Sequence, residues 1–88
     1  MPKKAPRRFL GSHLVADPEI CHGKPTFIGT RIMATQVLRQ VANGMPWDNI
    51  IAEWQGKITR EAIAEAVQLA QRTFEDHAAQ YSKEGLPV

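Results

Sequence analysis

The chain has 88 residues, 23% of them charged and 43% hydrophobic, with a formal net charge of +2. That length excludes more than one domain, and a chain this short buries a modest core unless a second chain adds to it. A single cysteine excludes an internal disulfide and suits a reducing cytosol, and no apolar run reaches the roughly 20 residues a membrane span requires.

The first twelve residues hold Lys3, Lys4, Arg7 and Arg8 and no acid, whereas residues 13 to 88 hold seven Lys and Arg against nine Asp and Glu. Residues 1–12 therefore read as a flexible basic tail. It is either a solubilising terminus or an arm that tracks phosphates through Arg7 and Arg8. The apolar stretch after it is broken by Gly11, Ser12 and His13, too short and polar for a signal peptide, so a cytoplasmic location is expected.

His13 to Ala16 is a short strand candidate, followed by a turn at Asp17-Pro18. Gly23-Lys24-Pro25 and Gly29-Thr30-Arg31 then force two reversals around a second strand candidate, Thr26 to Ile28, which Arg31-Ile32 extends past Gly29. Strands this short need the helices or a second copy of the chain to hold them.

A first helix is predicted over about Ala34 to Ala42, capped by Thr35, with Val37, Leu38 and Val41 on one face and Asn43-Gly44 ending it. Pro46 and Asp48 open a second helix, on which Trp47, Ile50, Ile51 and Trp54 form one apolar stripe. Gln55-Gly56-Lys57 breaks the chain. Thr59 then caps a third helix running to about Gln80, with Ile63, Ala66, Val67, Ala70, Phe74 and Ala78 as its buried face. Residues 81–88 read as a flexible C-terminus. Both tryptophans read as core residues.

The chemistry-bearing residues do not assemble into a reaction centre. Cys21 and His22 are adjacent, a poor chelating spacing beside the distant His13 and His77, so no metal site is expected. Cys21 has no suitably spaced His and acid partner and reads as a small buried side chain. Gly-Lys-Pro lacks the backbone donor of a phosphate loop. No catalytic residue and no cofactor is expected, and a binding module is favoured over an enzyme. Lys24 and Arg31, each beside a glycine, either present charge to a phosphate or an acidic partner or brace the turns on local carbonyls.

The second helix, the break and the third helix have the proportions of a helix-turn-helix. Its reading helix would expose Thr59, Arg60, Glu61, Ala64, Glu65 and Gln68. Arg60 and Gln68 would contact phosphates or base edges, and Glu61 and Glu65 would be repelled by phosphates.

The motifs Asp17-Pro18-Glu19-Ile20-Cys21, Gly23-Lys24-Pro25 and Ile28-Gly29-Thr30-Arg31-Ile32, with Leu38, Asn43-Gly44-Met45, Ile50 and Thr59 to Ala66, resemble the domain of unknown function 433 family over about residues 13–80. The resemblance implies a mainly α fold, a three-helix homeodomain-like helix-turn-helix bundle behind short N-terminal β-strands. It also implies a bacterial or archaeal toxin–antitoxin setting, with a VapB-type antitoxin beside a small PIN-like ribonuclease. Two positions depart from the family pattern: Gln55 replaces a common proline, which would loosen the turn into the third helix, and His22 stands where a small or amide residue is common. The leading expectation is an antitoxin that forms a homodimer, binds a toxin and binds operator DNA through Arg60, Gln68 and the arm, with Lys24 and Arg31 as further contacts. The alternative is a protein-interaction adaptor without DNA binding.

Overall fold

The computed structural model describes residues 6–78. Three short strands, β1 (Arg8–Phe9), β2 (Leu14–Ala16) and β3 (Pro25–Phe27), precede three helices, α1 (Ala34–Ala42), α2 (Trp47–Glu53) and α3 (Arg60–Asp76). The sheet is antiparallel with order β1-β2-β3.

Leu14 pairs with Phe27 and Val15 with Thr26. Alternation puts each pair on one face, and all four residues are buried. Leu14 and Phe27 join Ile32, Ala34, Val37, Ile50, Ile58, Ala62, Ile63 and Ala66 in one cluster. α3 packs against α1, α2 and β2, and α1 packs against β3, so the cluster lies between sheet and helices. Val37, Ile50 and Ile63 are fully buried, each contributing about 1.5–3 kcal/mol.

Several expectations shift on contact with the structure. The sheet begins at Arg8, inside the segment read as a flexible tail, because the Gly11-Ser12 turn folds β1 back on β2; residues 1–5 lie outside the described residues. Arg31-Ile32 does not continue β3 but returns alongside it: the Phe27 N–H donates to the Ile32 carbonyl, and Thr26 bridges to Met33. The reversal is a type II turn, with Gly29 at φ 80° and the Thr30 N–H on the Phe27 carbonyl at 3.0 Å. Ile28 is left 42% exposed at its corner.

α1 has the predicted bounds, but Met33 rather than Thr35 sits at its N-cap, where the Gln36 side chain accepts the Met33 N–H at 3.0 Å. Asn43-Gly44 ends it as expected: the Gly44 N–H reaches Val41 and the Met45 N–H reaches Gln40, a Schellman motif. Thr59 caps α3 by accepting the Ala62 N–H at 3.1 Å. α3 ends at Asp76, with Gln80 and residues 81–88 outside the described residues. Its expected buried face fails beyond Leu69. Ala70 and Ala78 are exposed and Phe74 is 61% exposed. Both tryptophans sit half-buried at the rim of the core. Cys21 is half-buried too, its thiol directed at the Arg31 carbonyl at 3.6 Å.

Candidate functional site

α3 advances about 100° per residue. Arg60, Ala64, Gln68 and Arg72, at four-residue spacing, therefore make a gently turning stripe away from buried Ala62, Ile63 and Ala66; Arg60, Gln68 and Arg72 are exposed and Ala64 is half-buried. Arg72 was missed in the sequence; its four-residue step from Gln68 was the available signal. Arg60 is exposed but engaged, ion-paired to Asp48 of α2 and lying 5.8 Å over the Trp47 ring.

Glu65 is not part of that stripe, contrary to the sequence expectation. Its carboxylate accepts the Ser12 N–H at 3.0 Å and the His13 N–H at 2.7 Å. The His13 Nδ1 is buried, 3.4 Å from the same carboxylate. Burial alone would raise the Glu65 pKa, but the two backbone donors and the neighbouring imidazole outweigh it, and the carboxyl is held below its ordinary value. A Cβ on Gly11 would come within 2.6 Å of the Glu65 carboxylate, whose tip would have to shift to make room for it. The β1–β2 turn is thus clamped to α3, and one of the two acids expected to repel phosphate is turned inward.

The remaining candidates lie elsewhere. Arg7 and Arg8 are exposed, Arg7 stacked 5.3 Å from the Phe9 ring centroid and Arg8 lining a shallow hollow with His22 and Gly23. Lys24 is exposed beside Pro25, which shares a row of the sheet with Ala16 and Arg8. The side chains of Lys24 and Arg31 make no hydrogen bond or ion pair among the described residues. The turns are braced instead by backbone and by Thr30, whose hydroxyl donates to the Phe27 carbonyl and accepts the Ile32 N–H. Cys21, His22 and Gly23 take φ of 51°, 57° and 83°, three successive left-handed residues before Lys24.

Arg31 lines an open groove of about 1150 Å³ between the Gly29–Arg31 loop and the end of α2, with Ile20, Ile28, Glu53, Trp54 and Lys57 among its walls. α2 closes in a second Schellman motif: the Gln55 N–H reaches Ala52 and the Gly56 N–H reaches Ile51. No group of three His, Cys, Asp or Glu among the described residues is placed to hold a metal ion, and no helix among them is long and apolar enough to cross a membrane.

The family model described as "Protein of unknown function (DUF433)" matches residues 14–70. The chain belongs to the DUF433 family. No curated protein and no solved structure matches it. The DUF433 match takes in β2, both glycine turns, the groove and α3 as far as Ala70, and leaves Arg7, Arg8 and Arg72 outside. Gln55 adopts φ 58° and donates its N–H, neither of which proline can do. The turn at Gln55 is therefore specific and hydrogen-bonded rather than loosened.

Proposed function

We propose that this protein is the antitoxin of a toxin–antitoxin pair: a non-enzymatic, homodimeric helix-turn-helix module that binds operator DNA through α3 and binds a small PIN-like ribonuclease. The observation that supports the DNA half is the inward turn of Glu65, which takes one of two acids off the outward face of a 17-residue helix following a tight turn and leaves Arg60, Ala64, Gln68 and Arg72 there beside exposed Glu61. Arg7 and Arg8 supply a basic flank for phosphates. Strands of two and three residues gain from completion by a second copy, which supports the dimer. The toxin half rests on the family resemblance.

A gel shift at about 150 mM salt tests the DNA half: its own promoter should be retained at least ~10-fold more tightly than a scrambled fragment, with affinity falling as salt rises. Equal affinity for both fragments refutes it. A second reading, an adaptor without DNA binding, is favoured by the engagement of Arg60 with Asp48 and by exposed Glu61. Co-purification with the neighbouring gene product and no gel shift selects it.

A further inference from the structure

The groove between the Gly29–Arg31 loop and the end of α2 takes none of its lining from α3, and that lining combines apolar side chains with exposed cations. Its walls are two turns fixed by backbone hydrogen bonds, so little order has to be imposed on binding. Ile28 is 42% exposed in it. The Trp54 Nε1–H is already bonded to the Gln40 Oε1 at 2.8 Å, which leaves an indole ring without an unmet donor on the same wall. Arg31 and Lys57 stand exposed at its edge without an ion pair among the described residues, facing a lining whose acid is Glu53. A phosphate backbone gains little from Ile20, Ile28 and Trp54. A protein segment uses both the apolar floor and the cations, and buried Trp and Arg are the residue types that anchor interfaces.

We propose that this groove docks an amphipathic helix of a partner protein, its apolar residues at i, i+3 and i+4 seated on Ile28 and Trp54 and its flanking Asp or Glu facing Arg31 and Lys57. This rests on the reading that the protein acts through a protein partner, and it names the surface and the chemistry of that contact.

The test uses a phage-displayed library of helical peptides randomised on one face, selected on the full-length protein and counter-selected on the Arg31→Glu/Lys57→Glu double variant. Both positions are exposed, and unchanged thermal melting by circular dichroism establishes that the variant is folded. Enriched peptides should pair apolar residues at helical spacing with flanking acids. They should bind the wild type at least ~10-fold more tightly than the double variant, and they should shift the NMR signal of the Trp54 indole N–H. Basic or charge-indifferent peptides, equal affinity for both proteins, or an unmoved Trp54 signal would overturn the proposal. So would sedimentation showing that the double substitution dissolves a dimer, which would assign the groove to a second copy, or a promoter affinity that falls with the double substitution. A failed gel shift with the wild type removes the DNA reading and leaves the groove standing; a positive gel shift with no acidic peptides enriched removes the groove alone.

Discussion

Replacing Glu65 with Ala removes two hydrogen bonds from a charged acceptor to the backbone of Ser12 and His13. Bonds to charged groups contribute about 1.5–3 kcal/mol each. The Ser12 amide is exposed, so water replaces much of that partner, while the His13 amide is partly buried and is left poorly satisfied. The expected loss is about 2–3 kcal/mol, equivalent to roughly 10–20 °C in Tm for a domain of this size. Gly11→Ala reaches the same clamp from the other side. The carboxylate tip is flexible, but moving it away from a new Cβ at 2.6 Å breaks the bonds to Ser12 and His13. Gly11→Ala should therefore cost about 1–3 kcal/mol in the wild type and almost nothing in the Glu65→Ala background. Urea denaturation followed by tryptophan fluorescence gives all four corners of this double-mutant cycle. Additive losses would refute the clamp as the reason for glycine at position 11.

The same carboxylate should show in the pH dependence of stability. Its folded-state pKa lies below the ordinary 4.5, so its contribution is present above that value and is lost as pH falls through the lower folded value. Glu65→Gln should flatten the acid limb of a stability–pH profile, and an unchanged limb would contradict the assignment. Gln55→Pro should cost about 3 kcal/mol or more, since φ 58° and the N–H bond to Ala52 are both lost. Gln55→Gly should raise stability by about 1 kcal/mol. Thermal melts of the pair check both signs. Gly29→Val should cost about 1–3 kcal/mol by backbone strain alone, because a Cβ there meets nothing within 4 Å. A melting temperature equal to wild type would place that turn outside the cooperative fold.

Features that depend on neighbours in sequence were legible. The bounds of α1, its Asn43-Gly44 ending and the Thr59 cap each arise within a few residues, where spacing and cap chemistry decide the outcome. The site was legible less fully because its decisive contact joins Glu65 to residues 52 and 53 positions earlier. Nothing in helical spacing distinguishes an acid on the solvated face from one turned to a distant backbone, so Glu65 read as a phosphate-repelling neighbour of Glu61. β1 was hidden for the same reason, since two residues carry no period and pair only once Gly11 and Glu65 fold them back. Phe74 read as core because periodicity marks a face without fixing how deeply each residue on it is buried.

The account turns on α3 meeting nucleic acid while the groove stays open for protein. Hydrogen–deuterium exchange of the full chain, with and without its promoter fragment, separates these surfaces in one measurement. The account predicts slowed exchange over α3 from Arg60 to Arg72 and around Arg8-Phe9, with Ile28 to Arg31 unchanged. Slowing confined to Ile28–Arg31 and Trp54–Lys57, or no slowing at saturating DNA, would contradict it.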